Sequence, residues 1–166
     1  MKKLTLVRHA KSDWHSASAT DFDRPLNARG KKAAITMGER LAASDSAAEL
    51  LVSSPAKRAR KTARLIARML DYREKQIDYR EDVYEARLDT LIDLLHDLDD
   101  STEEITMIGH NPGFSELGRW LNNAAPAWLP TCGMLVLTLP INSWSQAEEG
   151  CAEILVFDDP KKPFLL

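Results

Sequence analysis

Short apolar runs alternate along the chain with longer stretches in which apolar residues return every three or four positions. Leu4 to Val7, Leu50 to Ser53 and Ile105 to Ile108 are brief and nearly continuous in apolar character, the pattern of strands buried on both faces. Gln76 to Tyr79 reads as another short strand, and Met134 to Leu139 and Glu153 to Phe157 as two final ones. Ala28 to about Ala43 reads as a helix with Asn27 as its N-cap. Ser54-Pro55 predicts a second helix, with Ser54 as N-cap and the proline at the first helical position, running to about Leu70. Leu88, Leu91, Ile92, Leu95 and Leu98 fall on one face of a third helix, and Asn111-Pro112 opens a fourth that reaches about Leu121. Strands alternating with helices predict an α/β fold, a mostly parallel sheet covered on both faces. No repeat or linker interrupts the pattern, so one domain over residues 1–166 is expected.

Charge and composition narrow the functional classes. The formal net charge of −3 gives no support for a nucleic-acid binder, which would be basic. It leaves room for a local basic pocket that takes an anionic substrate. The two cysteines, Cys132 and Cys151, are too few for a disulfide framework and are expected as reduced, buried thiols. The first apolar run is too short for a signal peptide, and no stretch approaches the length of a membrane span. A soluble cytoplasmic domain is expected.

In a parallel sheet, ligands gather beyond the carboxyl ends of the strands. The first strand delivers Arg8-His9 to that edge. The second delivers Ser53-Ser54-Pro55, with Arg58 one helical turn later, and the strand ending at Ile108 delivers Gly109-His110-Asn111-Pro112-Gly113. If these strands are neighbours, two arginines and two histidines converge. Such a group suits phosphoryl transfer, because fixed cationic donors stabilise the charge spread over the transferring oxygens. Arginine binds phosphate through two prongs and stays charged, and a histidine ring held in line with phosphorus can act as the nucleophile. Arg58 lies in a strongly basic helix with Lys57, Arg60, Lys61, Arg64 and Arg68, where the ordinary expectation is a solvated face. Steps of roughly 100° per residue put Arg58 on the side of Thr62, Leu65 and Met69 and turn the other cations away.

These residues carry a resemblance. Arg8-His9-Ala10 after an N-terminal strand resembles the nucleophile motif of the histidine phosphatase superfamily. Arg8 to Trp14 and Asp23-Arg24-Pro25-Leu26-Asn27, followed by Arg29-Gly30, are similar to its SixA-type phosphohistidine phosphatase branch. Ser53-Ser54-Pro55 with Arg58-Ala59 and Thr62-Ala63 resembles the second phosphate-arginine motif. Gly109-His110-Asn111-Pro112 resembles the second-histidine motif, and Tyr84-Glu85-Ala86 sits where the family keeps its acid. The match runs in order through nearly the whole chain. It implies a three-layer αβα sandwich of the phosphoglycerate mutase-like kind. It also implies His9 as nucleophile, Arg8, Arg58 and His110 as ligands of the phosphoryl oxygens, and Glu85 as proton donor. No metal or organic cofactor is expected. Lys11, Ser12 and Asn111 are further candidates for contact with the substrate, while His15 and His96 are expected at the surface.

Other phosphatase chemistries fit less well. Asp21-Phe22-Asp23 has the D-x-D form of magnesium-dependent aspartyl phosphatases, but it follows the polar run Ser16 to Thr20 rather than an apolar strand. Cysteine phosphatases need an arginine at a fixed spacing after the nucleophile, where Thr138 and Phe157 stand here. No phosphate-binding P-loop and no zinc-ligand spacing is present. A mutase or phosphatase of small metabolites would share the chemistry, and a phospho-ligand binding module would share the fold. Only residues 59–84 separate Arg58 from Glu85, little for a substrate-covering insertion, so an open site is expected. That favours phosphate displayed on a protein or peptide, and the branch resemblance implies a histidine phosphotransfer protein as partner.

Overall fold

The computed structural model describes residues 1–15, 20–46 and 48–163. Its elements are β1 (Lys2–Arg8), α1 (Ala28–Ala43), β2 (Leu50–Ser53), α2 (Lys57–Met69), β3 (Asp78–Tyr79), α3 (Leu88–His96), β4 (Glu104–Gly109), α4 (Gly113–Leu121), β5 (Met134–Leu139) and β6 (Glu153–Asp158). They form an α/β sandwich around a six-stranded sheet of order β3-β2-β4-β1-β5-β6. Four neighbouring strands, β3, β2, β4 and β1, run parallel, while β5 is antiparallel to both of its neighbours. The sheet is therefore mixed, with one reversed strand beside the central one.

Period-two alternation divides the strands between two apolar layers. Leu4, Leu6, Val52, Ile105, Met107 and Leu135 face α3 and α4, whereas Val7, Leu51, Ile108, Met134 and Val136 face α1 and α2. Each fully buried side chain of this kind contributes about 1.5–3 kcal/mol relative to exposure. Because β1 is central, its carboxyl end is held on both sides, by β4 and by β5.

The boundaries differ from the sequence expectation where a local signal serves tertiary structure instead. α2 starts at Lys57 after Ala56, not at Pro55, and the Ser54 hydroxyl accepts the Ala56 N–H at 3.2 Å without capping a helix. α4 starts at Gly113, after a cis Asn111-Pro112 bond. The strand expected at 76–79 shrinks to two residues, since Glu74–Gln76 close a 3₁₀ turn. Asn27 does cap α1, its side chain accepting the Gly30 N–H at 2.8 Å. Both cysteines are free, but only Cys132 is buried, because Cys151 lies in the open turn before edge strand β6. His96 is half-buried rather than exposed, its Nε2 lying 2.8 Å from the Ala147 carbonyl. Part of the polar connection after His9, residues 16–19, lies outside the described residues.

Candidate active site

Strand order decides which side chains meet. β2, β4 and β1 are consecutive and parallel, so Ser54, His110 and His9 leave adjacent strand ends. Backbone bonds carry the ladder one step further: His9 N–H donates to Gly109 O at 2.9 Å, and Ser54 N–H to Ile108 O at 3.0 Å. Since β5 runs the other way, the segment before it returns to this same edge, and Cys132 N–H donates to both the Arg8 and the His9 carbonyls. Gly109 lets His110 sit close, since a Cβ there would lie 2.4 Å from the buried Phe114 ring. Thr62 ties α2 to the nucleophile loop: its hydroxyl donates to Arg58 O at 2.8 Å and accepts the Ala10 N–H at 3.0 Å.

The His9 and His110 ring centroids are 5.1 Å apart and tilted by 52°. Arg58 reaches in from the first turn of α2 and is almost wholly buried, at 4% exposure, whereas Lys57 and Arg68 of the same helix are exposed. One nitrogen of its fork donates to the Asp21 carbonyl at 2.7 Å and the other to the Asp21 carboxylate at 3.0 Å. That carboxylate also takes the Tyr84 hydroxyl at 2.7 Å and pairs with Arg24 at 3.2 Å. Tyr84 packs edge-on against the His110 ring at 5.5 Å. Arg8 donates to the Leu129 carbonyl at 3.0 Å. Two tryptophans flank the group: Arg24 stacks 3.4 Å from the Trp14 ring centre, and Arg8 lies 5.7 Å from that of Trp128. Buried nitrogens of all three arginines are left over, namely Nε of Arg8, Nε of Arg58, and Nε and Nη1 of Arg24. Buried donors without acceptors are costly, and the Asp21 carboxylate, paired with Arg58 and Arg24 while Arg8 binds a backbone carbonyl, leaves an excess of positive charge in the site. The arrangement suits a polyanion.

Hydrogen bonding sets the tautomers. Only an N–H can bond a carbonyl, so His9 Nδ1 donates to Ala10 O at 2.7 Å and its Nε2 keeps a free lone pair. Arginine only donates, so His110 Nδ1, 3.5 Å from Arg58, acts as acceptor, and His110 Nε2–H donates to Ser54 Oγ at 2.7 Å. Both rings are neutral. Burial pushes the pKa of His9 down to about 3, and the neighbouring His110, Arg58 and Arg8 push it the same way against the Ala10 hydrogen bond. Burial and then Arg58 bring His110 down to about 3 as well, against Asp21. Burial raises the Asp21 pKa, but the hydrogen bonds from Tyr84 and Arg58 outweigh it and hold the carboxyl below its ordinary range. Burial and the bond to Asp21 lift the Tyr84 phenol to about 12. A neutral imidazole with an exposed lone pair, inside a cationic cage, is a nucleophile for a phosphoryl group.

The structure therefore brings His9, Arg58 and His110 together, with Arg8 held beside them by Leu129. It places the remaining candidates differently. Glu85 is exposed with φ 50°, and the carboxylate that reaches Arg58 is that of Asp21. Asn111 spends its amide on structure, donating to Leu129 O at 2.8 Å and accepting from Ser115 Oγ at 2.6 Å. Ser12 is buried in an isolated bridge to Leu26. Lys11 is exposed and lines a neighbouring basic pocket. Asp21, weighed from the sequence only as part of a D-x-D motif, joins the site as the partner of Arg58, and Arg24, Tyr84, Ser54 as a partner of His110, and Trp128 join it without a role expected from the sequence. Arg24 stood within a quoted motif, and Tyr84 preceded Glu85, but nothing local aimed either one inward.

A phosphoryl-transfer site built on a strand-end histidine, carried on a mixed αβα sandwich, defines a class of phosphate-handling enzymes. Residues 4–113 match the histidine phosphatase superfamily (branch 1), and the chain belongs to that family; it is a phosphatase-type hydrolase. Among curated proteins, an uncharacterized protein of Mycobacterium tuberculosis is 33% identical over 93% of this chain and 100% of its own length. Among solved structures, a candidate phosphohistidine phosphatase SixA from Agrobacterium tumefaciens is 26% identical, covers 96% of this chain and 98% of its own, and superposes with a TM-score of 0.79. The protein histidine phosphatase SixA complexed with tungstate shares the fold, with 19% identity, 95% and 97% coverage and a TM-score of 0.81.

Proposed function

We propose that this enzyme hydrolyses phosphohistidine displayed on a protein, through a phosphorylated His9. The observation that carries the reading is the His9 ring itself: Nδ1–H is anchored on Ala10 O, so Nε2 offers its lone pair beside His110 and the Arg58 fork. Nε2 attacks phosphorus as the bond from phosphorus to the substrate's imidazole nitrogen breaks. The substrate ring, protonated from solvent on its other nitrogen, leaves as neutral imidazole with the bonding pair, and Arg8, Arg58 and Arg24 offset the charge on the three phosphoryl oxygens. Burial and Arg58 keep His110 neutral in the free site, and an entering dianion favours the charged ring, so Nδ1 takes up a proton from solvent and donates to a phosphoryl oxygen. Water then attacks the phosphorus, the bond to Nε2 breaks, and His9 and inorganic phosphate are released.

Three features support a protein-borne substrate. The residues between Arg58 and Glu85 are used up by α2, β3 and two 3₁₀ turns, with no element left to cover the site. Trp14 and Trp128 stand 76% and 57% exposed on the rim, where a partner surface can cover them. Asp21 is ionised, so it stabilises cations rather than supplying a proton. An imidazole leaves near neutral pKa and asks little of an acid, whereas an alkoxide needs one. Glu85 supplies that proton for alcohol leaving groups from its place next to Tyr84.

The test is a panel of phosphohistidine, phosphoserine, phosphotyrosine, sugar phosphates and an aryl phosphate, with isotopic trapping of the enzyme. The expected result is preferred turnover of the phosphohistidine peptide and an acid-labile, base-stable adduct that vanishes, with activity, in His9→Ala. Retained turnover in His9→Ala, or a preference for a sugar phosphate, overturns the reading. Glu85→Gln should slow phosphoserine turnover more than phosphohistidine turnover.

A further inference from the structure

Beside the phosphoryl cage lies a second concavity, of about 400 Å³, whose walls include Lys11, Arg29, Lys32, Lys161, Thr131 and Asp159. Resting on the reading of a protein substrate, we propose that this pocket binds an acidic segment next to the phosphorylated residue. It is a subsite for aspartate and glutamate side chains, separate from the phosphate cage.

Position, charge and cost point the same way. Lys11 stands two residues after His9, so their Cα atoms lie within about 7.6 Å of each other at full extension. The Lys11 carbonyl accepts the Asn27 N–H at 3.0 Å, which fastens the nucleophile loop to the start of α1. A Cβ on Gly30 would lie 2.1 Å from that carbonyl, so only glycine permits the approach that sets Arg29 and Lys32 beside Lys11. Thr131 follows the segment whose Leu129 carbonyl holds Arg8. One set of loops thus forms both the cage and the pocket wall.

Four cations meet one acid there. Among the described residues, none of Lys11, Arg29, Lys32 and Lys161 is in an ion pair. The Asp159 carboxylate already accepts the Lys161 backbone N–H at 2.9 Å. The chain as a whole is acidic, at −3, so this concentration of unpaired positive charge is a local departure. It also carries a stability penalty, since Arg29 and Lys32 sit near the start of α1, whose first turn holds no acid, and cations there oppose the helix dipole. Carboxylates from a partner would relieve that repulsion. Four charges spread around a cavity of this size match several carboxylates along a peptide better than one tetrahedral ion.

The experiment compares two phosphohistidine peptides, one flanked by Asp and Glu and the other by Asn and Gln, on the wild type and on the double variant Arg29→Glu, Lys32→Glu. Acids near a helix start favour the helix, so the variant should fold. The wild type should show a KM about tenfold lower for the acidic peptide, as expected for several weak surface pairs acting together, with similar kcat. The variant should lose that preference and keep its activity on an aryl phosphate, and added salt should erode the wild-type preference. Equal KM values for the two peptides in the wild type overturn the proposal, as does an equal loss on both peptides in the variant. If neither phosphohistidine peptide is turned over while the aryl phosphate is, the substrate reading has failed. Titration of the unphosphorylated acidic peptide then decides the pocket alone: binding abolished by the variant upholds it, and no binding to the wild type refutes it. Inorganic phosphate displacing that peptide at equal concentration assigns the pocket to free anions and likewise refutes it.

Discussion

Replacing Arg58 with alanine, alongside Arg64 with alanine as a control from the same helix, separates a cage residue from a merely basic face. Arg58 is buried and donates two charge-assisted bonds to Asp21, at 2.7 and 3.0 Å, while lying 3.5 Å from His110. Arg64 is only half-buried, and among the described residues its side chain makes no hydrogen bond or ion pair. Removing one donor from a preorganised oxyanion site costs about 10²–10³ in kcat, or ~2.7–4 kcal/mol of transition-state stabilisation. Loss of Arg58 should therefore cut kcat by that factor and weaken vanadate binding. Arg64→Ala should stay within about twofold, the scale of ordinary surface changes. Arg58→Lys keeps the charge without the two-pronged fork and should fall between them. Folding should survive Arg58→Ala, because the Asp21 side chain is 44% exposed and can be hydrated where its partner is lost. Steady-state kinetics with an aryl phosphate, vanadate inhibition and urea melts read the three quantities. Equal losses in Arg58→Ala and Arg64→Ala, or an unchanged Arg58→Ala enzyme, would refute the helix-face argument and the cage with it.

Three further outcomes follow from the same geometry. His9 and His110 titrate near 3 in the folded state against about 6.5 unfolded, so the unfolded chain binds more protons between those values. Their contribution to stability is complete above about pH 6.5 and is lost as pH falls toward 3, by at most about 1.4 kcal/mol per pH unit for each ring. Urea melts from pH 7 to 4.5 should show a shallower loss in His9→Asn, His110→Asn than in the wild type, and parallel curves would contradict both shifts. Asp21→Asn removes the carboxylate that competes with a dianion for Arg58 and Arg24, so vanadate should bind about tenfold tighter while kcat falls, because Arg58 loses its anchor; weaker vanadate binding would show that Asp21 only organises the cage. Gly109→Ala drives a methyl to 2.4 Å from the Phe114 ring and should cost about 1–3 kcal/mol in urea unfolding, with a drop in kcat as His110 shifts; a neutral effect would mean that the ring yields freely.

Much of the architecture was legible in the residues, because it rests on local periodicity. The inward turn of Arg58 follows from helical geometry and the Thr62-Leu65 stripe. The delivery of His9 and His110 to strand ends follows from the apolar runs before them, and the cap at Asn27 from its own side chain. Local cues misled where a residue served a distant partner. Ser54 looked like a helix cap and instead accepts a bond from His110, and Asn111 looked free for substrate but braces Leu129. No local cue marked Asp21, from a separate loop, as the carboxylate that pairs with Arg58, while Glu85 of the family motif stays exposed beside Tyr84.

What the chain alone determined about this protein was therefore its elements, their buried faces and the four cationic and imidazole groups aimed at one edge. The tertiary structure decided the rest: that β2, β4 and β1 lie side by side, that a reversed β5 returns Trp128 and Leu129 to that edge, and that Asp21, Arg24 and Tyr84 close around it. The physical reason is range. Periodicity and capping act over a few residues and are written locally, whereas strand order and loop approach depend on long-range contacts whose energies belong to no single segment.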